Sequence, residues 1–71
     1  MYLNLATEIK KIGLSQKEFS KKVKINAIVF SRKINGDSDW KLSEIKRILE
    51  FFNLKLSFDY LFENIEVQQV V

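Results

Sequence analysis

The side chains that could do chemistry in this chain of 71 residues are mainly cations and amides, because the sequence contains no histidine and no cysteine. Zinc sites of the finger type and catalytic triads that need His or Cys are therefore excluded. The nine carboxylates are scattered among lysines at helical spacing, and no pair is set apart for general acid/base catalysis. We therefore expect a protein that is not an enzyme and that uses no metal and no other cofactor.

The cations are concentrated in one part of the chain. Eight lysines and arginines against one acid give residues 10–33 a net charge of +7, whereas four against seven give residues 34–71 a net charge of −3. A basic half beside an acidic half fits a surface that meets phosphates on one side only. A solvated, lysine-rich face without a partner explains the same distribution equally well.

The elements that must position these side chains are helices, since the chain has no proline and two glycines, and its apolar residues repeat at helical spacing. The predicted helices are residues 2–11, 15–23, 26–34 and 42–52, and a short one that carries Phe58, Leu61 and Phe62. The residues predicted to cap the helix starts are Ser15 (with Glu18 completing a capping box), Asn26 and Ser57, and those predicted to end helices are Gly13, Asn35-Gly36 and Asn53. Residues 63–71 are expected to be a short tail, either frayed or an extended edge strand.

The helices at 15–23 and 26–34 are short and separated by a tight turn, which is the geometry of a DNA-binding helix-turn-helix. The chain resembles the helix-turn-helix family of phage repressors and Cro proteins. The resemblance spans roughly residues 2–62, and the residues that carry it are Leu14-Ser15-Gln16-Lys17-Glu18-Phe19-Ser20-Lys21-Lys22-Val23, Ile25, Phe30-Ser31-Arg32-Lys33-Ile34-Asn35-Gly36, Leu42-Ser43-Glu44-Ile45 and the closing segment from Leu54 to Phe62. It implies a compact, five-helix, all-α domain over residues 1–62.

The resemblance also implies a DNA-binding surface. In relatives, the glutamine matching Gln16 opens the second helix beside a phosphate, and the backbone near Asn35 and Gly36 forms a second phosphate clamp. The full set of expected DNA contacts is Gln16, Asn26, Ala27, Ile28, Ser31, Arg32, Lys33, Asn35 and Lys41. A plain surface glutamine is the structural alternative for Gln16. A simple helix C-cap is the structural interpretation of Asn35-Gly36, and it can hold alongside the phosphate clamp.

The sequence departs from the family pattern at three places. Ser20 stands where relatives carry Ala between the two motif helices, and Lys24 stands where they carry Gly in the turn, which predicts a left-handed lysine. The third departure is Ala27-Ile28-Val29, at the positions where relatives place base-reading side chains. Apolar groups contact thymine methyls but leave the hydrogen-bonding edges of the other bases unread.

An apolar tip on this helix is also what a protein-binding surface looks like. We therefore expect a partner surface formed by Ala27, Ile28, Val29, Phe51, Phe58 and Tyr60. Three functions stay open: a modulator that binds a repressor of the same family, a stand-alone Cro-like dimer on double-stranded operator DNA, and a small antitoxin-type DNA-binding subunit. A fourth possibility is a structural module that does not bind DNA.

The chain has no signal peptide and no apolar run long enough to cross a bilayer, so a cytoplasmic location in a bacterial host, without membrane binding, is expected. The helical spacing of the apolar residues predicts that Phe30, Trp40, Ile45 and Leu49 lie in the core. One small core cannot bury all of the remaining apolar residues, so some of them are expected to form a homodimer or partner contact. These residues are Phe51, Phe58, Tyr60, Val67 and Val70.

Overall fold

The structure, a computed structural model, describes residues 1–65, which form five α-helices and no strand. The helices are α1 (Leu3–Lys11), α2 (Gln16–Lys22), α3 (Ala27–Ile34), α4 (Leu42–Phe51) and α5 (Phe58–Leu61). The all-α class is confirmed, and every predicted helix is present within one residue of its expected ends. The expected edge strand or frayed tail lies almost entirely in residues 66–71, outside the described residues.

Polar side chains begin three of the helices, as the sequence predicts. Ser15 and Glu18 form a reciprocal capping box on α2, with each side chain 3.1 Å from the other's backbone nitrogen. The hydrogen bond from the Ser15 backbone is the main cause that lowers the pKa of Glu18 below its ordinary value. Asn26 caps α3 by accepting from the N–H groups of Ile28 and Val29, and Ser57 caps α5.

One motif ends the first four helices. Each has a residue with positive φ just past its C-cap, and two backbone hydrogen bonds reach back into the last turn, which together form a Schellman motif. The residues in this left-handed position are Gly13, Lys24, Gly36 and Asn53. The expected left-handed lysine is therefore confirmed, with a φ of 60° at Lys24.

The core is a single cluster in which α1, α2, α3, α4 and α5 all bury side chains. Its buried apolar members are Leu5, Ile9, Phe19, Val23, Ile25, Phe30, Ile34, Ile48 and Leu61. Phe19 is surrounded by the rings of Phe30, Phe51 and Phe52, with centroids 4.9–5.7 Å away. Where α2 packs on α3, Ser20 is fully buried and its hydroxyl donates to the Lys17 carbonyl at 2.7 Å, so a polar residue is accommodated at the junction.

The expected core is only partly correct. Phe30 is fully buried, but Trp40, Ile45 and Leu49 are only half-buried. Of these three, Trp40 and Leu49 pack against the core. The centre of the α4 face is instead Ile48, which is fully buried, and Leu42, placed by its spacing on the same stripe, is 68% exposed. The apolar arc of α4 includes Phe51 and Phe52, and this shifts the arc's centre to Ile48.

The N-terminal residues attach α1 to the rest of the molecule. The Tyr2 N–H donates to the carbonyl of Ile34 at the end of α3, and Met1 and Ile65 exchange backbone hydrogen bonds. The Asn4 amide donates to the Tyr60 carbonyl at 2.9 Å, which fixes α5 on α1. Within residues 1–65, none of the helices has the length and hydropathy needed to cross a membrane.

Candidate functional site

The candidate site is the outward face of α3, the helix on which the sequence places most of the expected contacts. Its inward face is fixed by Phe30 and Ile34, which are both fully buried. Because side chains three and four residues apart share a helix face, the outward face carries Ile28, Ser31, Arg32 and Asn35. All four are exposed.

The tip of α3 is apolar and accessible. Ile28 is 68% exposed and Val29 is 40% exposed, while Ala27 beside them is half-buried. Because Asn26 caps the first turn through two hydrogen bonds, these side chains are presented on ordered backbone. Burying the exposed Ile28 side chain against a partner would remove apolar surface from water, which is energetically favourable.

The outward face of α3 has few polar side chains that could hydrogen-bond to DNA bases. The Oδ1 atom of Asn26 is already occupied by the cap, so only its amide nitrogen is left to donate outward. Ser31 and Arg32 are exposed, and the guanidinium makes no ion pair within residues 1–65. Arg32 is therefore the one cation on α3 whose charge is available to a phosphate or a guanine.

Lys33 corrects the expected set of DNA contacts. It is only 5% exposed, and its ammonium forms a buried ion pair with Glu44 of α4. A lysine held in this way has no free charge to place on a phosphate. The expectation that Lys33 contacts DNA is therefore wrong for this structure, because the burial of a charge requires its partner to be buried with it.

Glu44 holds two elements together. One carboxylate oxygen accepts from the Lys33 ammonium and also from the backbone N–H of Lys41 at 2.8 Å, which caps the first turn of α4. Burial acts to raise the pKa of Glu44, but these two hydrogen bonds and the positive charges of Lys33 and Lys41 together outweigh it and hold that pKa below its ordinary value. The pair therefore fixes α3 against the start of α4.

The backbone after α3, where a phosphate clamp is expected, forms a helix C-cap in the structure. The N–H of Gly36 donates to the Lys33 carbonyl and that of Asp37 to the Arg32 carbonyl, so both donors belong to the helix end. The Asn35 N–H is likewise bonded to Ser31. The exposed side chains of Asn35 and Lys41 remain as the groups near this turn that can face an outside anion.

Gln16 lies where the sequence places it, exposed in the first turn of α2 beside the capping box. The other expected partner residues do not join the tip of α3 into one patch. Phe51 is half-buried against Phe19, and Tyr60 donates from its hydroxyl to Glu8 at 3.3 Å. Phe58 is 49% exposed and stacks on Phe62.

A groove that the sequence reasoning missed lies between the turn after α2 and the second half of α4. Its volume is about 340 Å³, and it is lined by Lys22, Val23, Lys24, Arg47, Glu50 and Phe51. The signal in the sequence is weak, because these residues come from two segments more than twenty positions apart. Only the packing of α4 beside the turn brings them together.

A scan against protein-family models and searches of curated proteins and of solved structures returned no match to this chain. Its function therefore has to be inferred from its own residues and geometry.

Proposed function

We propose that this chain is a transcriptional regulator of a phage-type genetic switch, built on a helix-turn-helix fold in which α2 and α3 are the motif helices. Its leading mechanism is modulation of repression: the tip of α3 binds a repressor of the same family in the bacterial cytoplasm. The fold assignment is supported by the packing of α2 on α3 across a tight turn, by the buried Ser20 at the junction and by the left-handed residue in the turn.

The observation that carries the mechanism is the exposure of Ile28 and Val29 at the capped start of α3. A helix that reads bases needs donors and acceptors at these positions, and this one presents aliphatic groups. With Lys33 buried, α3 keeps a single available cation. When a protein surface covers these aliphatic side chains, the water around them is released, which is favourable. A DNA groove stays hydrated and releases that water only where a thymine methyl contacts the side chain.

The test compares two equivalent changes on different surfaces. Ile28→Gln places a polar group at the proposed contact, and Ile12→Gln makes the same change at an isoleucine that is 44% exposed at the end of α1. Ile28→Gln should weaken binding to the repressor encoded beside this chain by about 1–3 kcal/mol, because it removes an apolar contact and leaves an unpaired amide. Ile12→Gln should leave that affinity unchanged.

Titration calorimetry with the purified repressor gives the affinities, and thermal melts establish that each variant is folded. Equal losses for Ile12→Gln and Ile28→Gln, or full affinity for Ile28→Gln, would contradict the proposed role of α3. The second ligand is the DNA between the gene for this chain and the gene for the repressor. Tight binding of the wild-type chain alone to that DNA would instead support a Cro-like repressor.

The Cro-like alternative is favoured by a specific feature, the five exposed cations between residues 17 and 32. On that mechanism, Arg32→Gln should weaken operator binding and reduce the salt slope by about one unit, as expected for one lost phosphate contact. Lys10→Gln removes an equal charge from α1, away from α3, and should change neither. Filter binding at two salt concentrations measures both quantities.

A further inference from the structure

The groove beside the α2–α3 turn is a second surface, separate from the tip of α3. None of its lining residues belongs to α3: three come from the end of α2 and the turn, and three from α4. Lys22 and Lys24 lie on one wall, Arg47 and Glu50 on the other, and the ring of Phe51 is half-buried between them. The groove therefore combines a net charge of +2 with an aromatic surface.

The cations of the groove are unpaired within residues 1–65. No carboxylate lies within 4 Å of the nitrogens of Lys22, Lys24 or Arg47, although Glu50 lines the same groove. The Nε atom of Arg47 is buried and has no hydrogen-bond partner among these residues. A buried guanidinium N–H without an acceptor is costly, and such groups are rare in folded proteins.

The chemistry of the groove selects its ligand. A carboxylate satisfies a guanidinium through two parallel N–H···O hydrogen bonds, and Arg47 has no ion-pair partner among residues 1–65. The half-buried Phe51 offers an apolar surface to the same ligand. The Glu50 carboxylate limits the net charge of the groove, which suits one or two carboxylates better than a run of phosphates.

We propose that this groove binds an acidic segment of a partner protein, with a carboxylate placed on Arg47 and an aliphatic side chain on Phe51. Lys24 adds charge from a backbone conformation, φ 60°, that a glycine would adopt more easily. The groove gives the molecule a second docking surface, which operates whether α3 binds a protein or DNA.

The test uses an N-acetylated, C-amidated tetrapeptide of alternating glutamate and leucine as the probe, with glutamine replacing glutamate in the matched neutral peptide. Nitrogen-edited NMR of the full chain follows the Nε–Hε signal of Arg47 and the backbone amide of Lys24. We expect the acidic peptide to shift both signals in a saturable manner and the neutral peptide to shift neither. Absence of any shift at millimolar peptide would overturn the proposal, as would equal shifts from both peptides.

Two pairs of variants separate binding from folding. Arg47→Gln should weaken the peptide by about tenfold or more, the size of one charge-assisted hydrogen bond, while Lys46→Gln, the same charge change one residue away on α4, should stay within twofold of wild type. Lys24→Gly should weaken the peptide while melting at the same or a higher temperature, because glycine relieves the positive φ. Lys21→Gln is its charge-matched control outside the groove.

Equal weakening by Arg47→Gln and Lys46→Gln would mean that only the overall charge attracts the peptide, and would overturn the site. A duplex DNA of about two helical turns, tested at the same ionic strength, identifies the other class of ligand. If the duplex shifts the Arg47 Nε–Hε signal and the peptide does not, the groove is a phosphate contact and the proposal is wrong.

Discussion

Lys33 and Glu44 are the two charged residues that the fold buries among residues 1–65. Each side chain is less than one-tenth exposed, and the pair joins α3 to the first turn of α4. Removing two charges from water is expensive, and their attraction offsets that cost only while both are present. Lys33 therefore contributes to the position of α3 and not to its outward charge.

The energetic coupling of this pair is testable with neutral replacements. Lys33→Met leaves the Glu44 carboxylate buried without its ammonium, and Glu44→Gln leaves the ammonium without a carboxylate, so each single change should cost about 3–5 kcal/mol. The double variant has no buried charge, and the glutamine oxygen still accepts from the Lys41 N–H. We expect urea denaturation to show the double variant clearly more stable than either single variant; a loss equal to the sum of the two would contradict the coupling.

The lowered pKa of Glu44 predicts a loss of stability in acid. In the unfolded chain its carboxyl titrates near its ordinary value of about 4.3, so the unfolded state takes up a proton before the folded state does. The stabilisation is complete above that value and is lost as the pH falls through the lower pKa of the folded protein. Urea midpoints measured from pH 7 to pH 3 should fall less steeply for Glu44→Gln than for wild type.

Glu18 is a second carboxylate whose titration contributes to the fall of the urea midpoint in acid. Its pKa is also lowered, chiefly by the hydrogen bond from the Ser15 backbone, so its contribution disappears over the same acid range. Glu18→Gln removes this carboxylate and serves as the comparison. An unchanged acid slope in Glu44→Gln would show that the buried pair does not determine the acid sensitivity.

The apolar face of α4 is broad, so the spacing of its residues does not show which of them lies at its centre. Successive residues on a helix are about 100° apart, so Glu44 and Phe52 lie about 40° on either side of Ile48. Ile48 is fully buried, and Leu42, about 120° away, is exposed. The inward face of α4 therefore runs through Glu44, Ile48 and Phe52.

This orientation predicts the order of three truncations on α4. Ile48→Ala should cost about 2–5 kcal/mol, because it leaves a cavity in the core. Leu49→Ala should cost less, since Leu49 is half-buried, and Leu42→Ala should stay within about 0.5 kcal/mol of wild type. Urea denaturation midpoints give the order directly, and a larger loss for Leu49→Ala than for Ile48→Ala would contradict this orientation of the helix.

At the scale of the whole molecule, apolar side chains remain uncovered outside the tip of α3. Phe58 is 49% exposed and Tyr60 is 38% exposed on α5, in the half of the chain that carries the net negative charge. Phe51 belongs to the core edge through its contact with Phe19, and Val67 and Val70 lie outside the described residues. Among the residues expected to take part in self-association, Phe58 and Tyr60 are therefore the ones that the described part of the chain leaves exposed.

We predict that the chain self-associates through α5. Sedimentation equilibrium should give a mass that rises towards twice the monomer with concentration, and Phe58→Ser should abolish the rise, because a desolvated aromatic anchor is lost. Leu42→Ser changes an exposed apolar residue on α4 and should leave association intact. A monomer at all concentrations of the wild-type chain would contradict this prediction.

The sequence by itself determined the features that depend on neighbouring residues. Ser15, Asn26 and Ser57 mark helix starts because their side chains bond to N–H groups two or three positions ahead, and Gly13 and Gly36 mark helix ends because they adopt positive φ without strain. These interactions span fewer than six residues, so they can be recognised without knowing the fold. The left-handed Lys24 was expected from the family resemblance, in which a glycine occupies this position, and its φ of 60° agrees with that expectation.

The tertiary structure alone decided which residues of a helix face inward and which charges remain free. Nothing near Lys33 in the sequence marks it as buried, because its partner Glu44 lies eleven residues away on another helix. The same holds for the groove, whose cations come from α2, the following turn and α4. Burial and pairing depend on how helices pack, and packing is set by the sum of many weak contacts that no single spacing contains.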